Sequence, residues 1–394
     1  MKRVRDPIHN YVELDEMGRE LVDTPRLQRL RRIHQLGTGS IVYPGANHTR
    51  FEHSLGAYHL AGQACEVLGI EAAERRTVQA AALLHDVGHG PFSHTCDGIY
   101  RDYLNRTHEA LTCEALEKGA LPDILRRHGV EPNDVADAVN GQGRWGPLVS
   151  GDLDVDRLDY LVRDAHYTGV VIGVDLARLV GGMVLTPEGL AIRQGSLAAA
   201  ESVLVTRVQM YASVYFHKTL RVAERMLERA FRLALDAGEI KPDELPKMDD
   251  IAATMRLRHS KTPAWRLMLA VDQRKLYKVC VSEPSDDFRE DEIERIADDP
   301  AAQAALEQTI ASRLGLDPLD VIVDVPRLPR LRETRTRIIQ ADGTSADMAS
   351  VSSLTRALGG AQRDHWRLRV MVPASVREQA AAVAGRLLDD ELGA

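Results

Sequence analysis

One short run of the chain concentrates side chains that can bind a metal ion. His85–His94 holds three histidines and one aspartate within ten positions, directly after five apolar residues. An apolar helix that ends on adjacent His85 and Asp86 can aim both side chains at one ion, and the glycines of the run let the backbone turn sharply. His53 lies upstream and Asp156 downstream, so the run has two further candidate ligands.

The types of these donors indicate which ions would suit them. Imidazole nitrogens combined with carboxylate oxygens favour a borderline divalent ion, namely Mn, Fe, Co, Ni or Zn, whereas Mg suits the carboxylates better than the histidines. A set of two histidines and two aspartates leaves coordination positions open, where water or a phosphate oxygen can bind. The residues alone therefore suggest one catalytic divalent metal ion.

Helices are expected to position these groups in the first two-thirds of the chain. Thr24 and Pro25 are suited to begin a helix whose apolar residues recur every three positions up to Leu36. Further helices are predicted at about 51–68, 71–85 and 155–165, with shorter ones up to about 140, a hairpin at 183–192 and a long helix at 196–237. Strands are predicted at 276–281, 321–325, 337–340 and 367–372, and a closing helix at 375–392.

These elements predict a mainly α fold, with a multi-helix core in residues 1–280 and a smaller α+β region in 281–394 that we expect to act in assembly. The formal net charge of −8 argues against broad binding of nucleic acid or of an anionic membrane. The four cysteines form no C-x-x-C pair, and neither an apolar leader nor a membrane-spanning run is evident. A cytoplasmic protein with reduced thiols is therefore expected.

A more specific pattern is carried by seven blocks that cover most of residues 1–280: Asp6–His9, Asp23–Pro25, Gln35–Gly37, Tyr43–Ala46, Arg50–Ser54, His85–His94 and Asp154–Tyr160. In this combination the chain resembles the HD superfamily of metal-dependent phosphohydrolases, and within it the deoxynucleoside triphosphate (dNTP) triphosphohydrolases. The resemblance implies an HD-domain multi-helix core and one divalent metal ion held by His53, His85, Asp86 and Asp156.

The resemblance also implies a reaction and its acid–base groups. Water-mediated cleavage of a dNTP would give the deoxynucleoside and inorganic triphosphate, and the leaving 5′-oxygen needs a proton that a histidine can supply near neutral pH. His94 is the implied general acid. His108, Glu109 and Asp97 match family positions beside it, with Asp97 or Glu109 orienting an imidazole, and His89 is a candidate to contact the phosphates.

Substrate-binding positions follow from the same resemblance. A triphosphate carries about four negative charges and needs local cations. The implied phosphate ligands are Arg50, Arg157, Arg207 and Lys218, although Arg157 replaces a lysine common at its position. The residues implied to line the sugar and base are Gln35, Leu36, Tyr160, Asp164 and Tyr215. A carboxylate such as Asp164 can accept a hydrogen bond from the 3′-hydroxyl, and a tyrosine packed under C2′ would exclude a ribonucleotide.

A regulatory site for a GTP or dNTP activator between subunits of a homodimer or homotetramer is implied as well. The positions that recognise guanine in nucleotide-activated relatives are matched by Asp23, Gln28 and Arg31. The positions for a second nucleotide and for phosphates are matched by Arg178, Arg193, Arg274 and Lys278. Helix-surface charges are the simpler interpretation, and Arg5 and Gly195 depart from the residues expected for the second effector.

Three functions are compatible with the sequence. The leading hypothesis is a dNTP triphosphohydrolase. The second is an HD phosphatase or phosphodiesterase that acts on other nucleotides or on single-stranded nucleic acid. The third is a nucleotide sensor without catalysis, against which the intact set of ligands and His94 argue.

Overall fold

The computed structural model of the protein describes residues 2–297, 299–328, 332–361 and 363–392. Its α-helices are α1 (Glu16–Val22), α2 (Pro25–Arg29), α3 (Arg50–Val67), α4 (Ala72–Leu84), α5 (Asp97–Leu104), α6 (His108–Glu117), α7 (Ala120–Arg127), α8 (Pro132–Val139), α9 (Gly146–Val149), α10 (Val155–Thr168), α11 (Leu176–Gly181), α12 (Leu197–Met210), α13 (Lys218–Asp236), α14 (Asp250–Arg258), α15 (Ala264–Asp272), α16 (Glu290–Ala297), α17 (Pro300–Leu314), α18 (Met348–Val351), α19 (Ser353–Leu358) and α20 (Arg377–Leu392). Its strands are β1 (Lys2–Asp6), β2 (Asn10–Leu14), β3 (Met183–Thr186), β4 (Gly189–Arg193), β5 (Lys278–Pro284), β6 (Ile322–Asp324), β7 (Arg337–Ile339), β8 (Ser345–Asp347) and β9 (Arg367–Val372).

The chain forms two compact units that interleave along the sequence. The first comprises Met1–Met210, Ile240–Met255 and Arg332–Ala357, and the second comprises Tyr211–Glu239, Arg256–Leu331 and Leu358–Ala394. This division differs from the single boundary predicted near residue 280, because the chain leaves the first unit after Met210 and later returns to it twice.

Helix α3 lies at the centre of the first unit. Thr49 and Glu52 form a capping box that fixes its start, and most of the residues of α3 are buried. Helices α4 and α10 pack against it. The same unit contains the β1–β2 hairpin and a sheet in the order β3-β4-β7-β8, in which only β4 and β7 run parallel. The start of α3, the end of α4 and the start of α10 are thereby held together.

The second unit is built around an antiparallel sheet in the order β5-β9-β6. Helices α17 and α20 pack on the sheet, and aliphatic side chains from all of these elements form the core. Trp366 is fully buried there and donates a hydrogen bond from Nε1 to the Pro326 carbonyl oxygen at 2.6 Å. Within the described ranges of the chain, no helix has both the length and the apolar character needed to cross a membrane.

The predicted fold class is confirmed, since helices dominate and the end of the chain mixes helices with short strands. The helices predicted at 51–68 and 71–85 correspond to α3 and α4, the hairpin at 183–192 to β3 and β4, and the strand at 367–372 to β9. The pattern of apolar residues was sufficient to predict these elements, because the local preference of the residues and their packing in the fold favour the same structure there.

Two predicted helices require correction. The long helix predicted at 196–237 is two helices, α12 and α13, separated by a π-helical turn at Tyr211–Tyr215 and by His217 with a non-helical backbone. The helix predicted from Thr24 to Leu36 ends at Arg29, followed by one 3₁₀ turn. Ile33 is extended there because its carbonyl oxygen accepts a hydrogen bond from the backbone N–H of Arg50 at 2.9 Å.

Candidate metal centre

Four side chains converge beside the end of α4. His53 lies near the start of α3, His85 caps α4 with Asp86 following it, and Asp156 lies in the first turn of α10. His53 Nε2 lies 3.1 Å from His85 Nε2 and 2.9 Å from Asp156 Oδ1, and His85 Nε2 lies 3.4 Å from Asp86 Oδ1. Ligands bound at about 2.1 Å from one ion and at right angles are about 3.0 Å apart. The donor atoms of His53, His85 and Asp86 lie close enough together to hold one divalent metal ion, and Asp156 contacts both histidines.

Buried partners fix the orientation of the His53 ring. Its Nδ1 lies 2.8 Å from Asp159 Oδ2. Asp159 Oδ1 lies 2.6 Å from His9 Nε2, and Arg163 donates from Nε to Asp159 Oδ2 at 2.8 Å. Arg163 also donates from Nη1 to Asp6 Oδ2 at 2.9 Å. Because Nδ1 of His53 is engaged by a carboxylate, Nε2 is left to bind the metal ion.

The other two ligands from the His-Asp pair are fixed in a similar way. His85 Nδ1 lies 2.8 Å from the Ala82 carbonyl oxygen, which leaves its Nε2 for the metal ion. Arg50 donates from Nη1 to Asp86 Oδ2 at 2.7 Å, which leaves the other carboxylate oxygen beside His85. On both histidines, a contact at Nδ1 therefore leaves Nε2 to bind the metal ion.

The charges at the centre favour a cation. Burial alone would raise the pKa of Asp86 and Asp156. Arg50, with His85 and His89, instead holds the pKa of Asp86 well below its ordinary range, and His85 and His53 lower the pKa of Asp156. Burial would also lower the pKa of His53, but hydrogen bonds to carboxylates outweigh burial and raise it to about 10. The aspartates are ionised at neutral pH, and a bound metal ion must displace the imidazole proton.

A second group of side chains, which we call the histidine cluster, comprises His89, His94, Asp97 and His108. His94 is exposed, and its Nδ1 lies 2.8 Å from Asp97 Oδ2. Asp97 Oδ1 lies 3.3 Å from His108 Nδ1, and His108 Nε2 lies 3.2 Å from Glu109 Oε1. Asp97 thus orients His94 through a hydrogen bond and lies within ion-pair distance of His108, and His94 Nε2 is the nitrogen that Asp97 does not contact.

The turn that leads into the histidine cluster has an unusual backbone. Phe92 and Ser93 have φ values of 56° and 54°, in the left-handed region that residues other than glycine seldom adopt. Phe92 N–H donates to Asp250 Oδ1 at 2.7 Å, and Ser93 Oγ donates to the His34 carbonyl oxygen at 2.6 Å. Arg50 donates from Nε to Ser93 Oγ at 2.8 Å, so one guanidinium links the turn to the metal centre.

Known proteins share these sequence features. The HD domain pattern matches residues 50–164, and the pattern of the HD associated region matches residues 174–391. The chain belongs to the HD family. The fold and metal centre described above are those expected of a hydrolase of this family, in which a divalent metal ion binds at the HD site.

Relatives of this HD protein differ in how much is known of them. The uncharacterized protein MJ1154 of Methanocaldococcus jannaschii is 33% identical over 95% of this chain and 79% of its own length. Human deoxynucleoside triphosphate triphosphohydrolase SAMHD1 is 32% identical over 61% of this chain and 46% of its own length. The crystal structure of a phosphohydrolase from Bacteroides thetaiotaomicron is 28% identical and superposes with a TM-score of 0.75, over 95% of this chain and 100% of that one.

Two of the arginines predicted to bind phosphate, Arg50 and Arg157, make hydrogen bonds with other residues of this HD protein. Arg50 is buried between the metal centre and the turn, and its Nη2 has no hydrogen-bond partner among the described residues. Arg157 donates from Nη1 to the carbonyl oxygens of Gly151 and Asp152, the latter contact being very short. The structure therefore places Arg50 at the metal centre and gives Arg157 a role in holding the loop before α10.

Two of the predicted sugar-binding residues lie on α10 behind the metal ligand of that helix. The Tyr160 ring meets the His53 ring edge to face, with centroids 6.4 Å apart. Asp164 is buried, and its Oδ1 lies 2.8 Å from His48 Nε2. His48 also stacks on Tyr167 with centroids 4.5 Å apart. Asp164 thus has a buried histidine as partner, which the sequence did not reveal.

The remaining predicted substrate residues are divided between the two units. In the first unit, Gln35 is buried with its Oε1 lacking a hydrogen-bond partner among the described residues, Leu36 is half-buried, and Arg207 is buried in the last turn of α12. In the second unit, Tyr215 belongs to the π-helical turn, and Lys218 is exposed at the start of α13. The roles of these five residues stay predictions.

The predicted regulatory residues are mostly exposed. Arg31 donates from Nε to Gln28 Oε1 at 2.9 Å and lies 3.6 Å from the centroid of the Phe51 ring, so local contacts account for its position. Arg178 donates from Nη2 to the Gly195 carbonyl oxygen at 2.8 Å. The other predicted members of this site are exposed: Asp23, Arg193, Arg274 and Lys278. A regulatory site at these residues stays a prediction.

Several residues that support the site were missed in the sequence. Arg29 donates from Nη2 to the carbonyl oxygens of Val87 and His89 at 2.9 and 2.7 Å, which holds the turn after the His-Asp pair. Asp159 is a second such residue, and its position three residues after Asp156 on one helix is the sequence signal that both side chains share a face.

Proposed function

We propose that the protein is a metal-dependent dNTP triphosphohydrolase. The observation that supports this most directly is the metal centre beside the His94–Asp97 pair, with Arg50 contacting both the centre and the turn before His94. A metal-binding site and an oriented imidazole at one place are what phosphate-ester hydrolysis requires. The similarity to human SAMHD1 supports the choice of dNTPs as substrates.

The side chains divide the work of the proposed reaction. A divalent ion held by His53, His85, Asp86 and Asp156 would polarise a phosphoryl oxygen and lower the pKa of water. Asp97 accepts a hydrogen bond from Nδ1–H of doubly protonated His94, and His94 gives its Nε2 proton to the 5′-oxygen. The oxygen of a water molecule bonds to the α-phosphorus as the bond from phosphorus to the 5′-oxygen breaks, and the proton that this water loses passes to solvent. Arg50 Nη2 is placed to donate a hydrogen bond to a phosphate oxygen.

Selection of a deoxyribose is proposed to involve Tyr160, Asp164 and Gln35. The Asp164 carboxylate, oriented by His48, accepts from the 3′-hydroxyl, and the buried Gln35 Oε1 gains the hydrogen-bond partner that the described residues do not provide. The Tyr160 ring beside His53 would clash with a 2′-hydroxyl. We expect Asp164→Asn to raise KM for dNTPs more than it lowers kcat.

Product analysis tests the proposed reaction. The metal-loaded protein is incubated with each dNTP and with GTP, singly and in pairs, with Mn²⁺ or Mg²⁺, and the products are resolved by ion-exchange chromatography. Release of intact triphosphate from dNTPs is expected. Release of only pyrophosphate or orthophosphate, or cleavage of other nucleotides or single-stranded oligonucleotides alone, would favour an HD phosphatase or phosphodiesterase. Binding without turnover under every metal would favour a sensor.

Substitution of His94 tests the proposed general acid. His94→Gln should lower kcat by about 10²- to 10⁴-fold while the metal centre keeps its ion, because the side chain is not a predicted ligand of that centre. His128→Gln is the matched control, since His128 lies beside Glu20 on α1 and outside the site. Equal activity of the two variants would remove His94 from the mechanism.

Activation by GTP or a dNTP at an inter-subunit site of a dimer or tetramer is a further part of the proposal. The exposure of Asp23 and Arg31 supports it, because an effector can reach these side chains. The paired incubations and light scattering with and without GTP test it. A rate that is independent of the second nucleotide, and a mass that is independent of GTP, would contradict it.

A further inference from the structure

The histidine cluster carries a donor set of its own. His89, His94, Asp97 and His108 each offer one ligand atom, and these atoms all lie within 4.8 Å of one another. Three imidazoles and one carboxylate form a set that suits borderline divalent ions such as Zn²⁺. None of these four residues is a candidate ligand of the metal centre.

A separate observation indicates that the cluster is built to receive a ligand. His89 is 1% exposed, and its Nδ1 has no hydrogen-bond partner among the residues that the structure describes. The His89 ring stacks on His108 with centroids 3.9 Å apart, and His94 meets it edge to face at 5.0 Å. A buried imidazole nitrogen without a partner is unfavourable unless a bound ion or molecule satisfies it.

The cluster adjoins the metal centre through one carboxylate. His89 Nε2 lies 3.3 Å from Asp86 Oδ1, so Asp86 contacts both groups of ligands. Two negative charges, Asp86 and Asp97, favour a second cation here. The Arg50 guanidinium at Asp86 Oδ2 and an ion already bound at the metal centre both oppose one. A cation at the cluster is therefore held more weakly than the ion at the metal centre.

We propose that the histidine cluster is a second, weaker site for a divalent cation of the zinc class, and that its occupation inhibits the enzyme. Binding depends only on the geometry of the cluster, whereas inhibition rests on the proposed function. Because His94 cannot hold a cation and deliver a proton at the same time, an ion in the second site removes the general acid. The cluster then limits activity when such ions are in excess.

Zinc stoichiometry tests the site without reference to activity. The full chain is stripped of metal, equilibrated at a series of buffered free Zn²⁺ concentrations, and analysed by inductively coupled plasma mass spectrometry. We expect about two ions per chain, bound in two separate steps. His94→Gln should abolish the weaker step and keep the tighter one. This substitution is at an exposed side chain, so folding should be retained, and His128→Gln is expected to retain both steps.

The converse variant distinguishes the two sites. His85→Gln should weaken the tighter step and leave the weaker one, and Co²⁺ in place of Zn²⁺ should show two visible spectra that the two variants remove selectively. A single step in the unsubstituted chain, or a second step that survives in His94→Gln, would overturn the second site.

Activity measured in the same titration tests the inhibition. Zn²⁺ binds such donors more tightly than Mn²⁺, so the metal centre fills with zinc in the tighter step. Triphosphate release is measured from that point on and should fall in proportion to zinc occupancy of the weaker second site. Full activity with the second site occupied would overturn the proposed inhibition, but it would not contradict the second site itself. Absence of triphosphate release at every zinc concentration would instead count against the proposed function, and the stoichiometry would still decide the second site.

Discussion

Asp159 links the candidate metal ligand His53 to the buried side chains behind it. It contacts His53 Nδ1 while it also contacts His9 and Arg163. Asp159→Asn should lower metal affinity by about 10- to 100-fold, because the imidazole loses the carboxylate that orients it and raises its basicity.

Competition with a chelator measures this affinity, with circular dichroism to show that the variant is folded. Asp137→Asn on α8 is the matched control, since that side chain is exposed and outside the site. Identical metal affinities for the two variants would show that Asp159 has no influence on the centre.

His34 gives a prediction about pH. Its Nδ1 lies 2.6 Å from Asp250 Oδ2, and this hydrogen bond raises the pKa of His34 above its usual 6.5, while partial burial opposes the rise. The folded state therefore binds the proton more tightly than the unfolded state. The contribution of the His34–Asp250 interaction to the free energy of unfolding is complete below about pH 6.5. It is lost as the pH rises through the pKa that His34 has in the folded protein.

We expect His34→Gln to lower the free energy of unfolding more at about pH 5.5 than at about pH 8.5. Urea unfolding of both proteins at several pH values measures the difference. A difference that stays constant, or one that grows as the pH rises, would contradict the prediction.

At the residue scale, the sequence indicated the candidate ligands more readily than the buried residues that orient them. His85 and Asp86 are adjacent in the chain, so their pairing is visible locally. The contacts of His48 with Asp164 and of Phe92 with Asp250 join positions more than a hundred residues apart. No periodicity of side chains encodes such contacts, because they depend on how the helices pack.

At the scale of elements, the close approach of α6 to the turn after α4 depends on a glycine. A Cβ at Gly88 would collide with the His108 carbonyl oxygen and with the backbone nitrogen of Thr112. Gly88→Ala should therefore lower the free energy of unfolding by about 1–3 kcal/mol and reduce kcat, because α6 carries His108.

Urea unfolding and steady-state kinetics test this variant against Gly181→Ala. Gly181 is the last residue of α11, and no described residue outside its own turn of helix lies within 4 Å of the added Cβ, so that change should be neutral or slightly stabilising. Equal stabilities for the two variants would show that the turn tolerates the added atom.

The sequence predicted helices and strands most closely where a single conformational preference of the residues dominates. Helices α3 and α4 were located closely because their apolar residues are dense and their ends carry clear signals. The division between α12 and α13 was missed, since the residues of the π-helical turn, Tyr211–Tyr215, have no composition that distinguishes them from a helix. The extended backbone at Ile33 was missed because a distant partner, Arg50, stabilises it.

At the scale of the whole molecule, the metal ligands all belong to the first unit, and the second unit has a separate core. Asp324 is buried in the second unit, where Arg221 donates to it from Nε at 3.1 Å and from Nη2 at 2.5 Å. Asp324→Asn should destabilise that unit by at most about 3–5 kcal/mol, because the half-buried Arg221 loses the carboxylate at its Nε and Nη2 and keeps only Glu224 at Nη1.

Calorimetry should then show a transition at lower temperature, while metal content at room temperature stays unchanged. Asp347→Asn is the control, because its ion pair with Arg337 is exposed and should contribute at most about 1 kcal/mol. Loss of metal from Asp324→Asn at temperatures where the first unit is folded would show that the two units are energetically coupled.

The β1–β2 hairpin supports the metal centre from a distance along the chain. Asp6 and His9 are not candidate ligands, yet they contact the Arg163 and Asp159 side chains that lie behind His53. A cut in the chain that removed this hairpin would keep every candidate ligand but remove two of the groups that orient Asp159. We expect such a shortened chain to bind metal weakly, so proteolysis at this hairpin would lower the fraction of molecules that carry a metal ion.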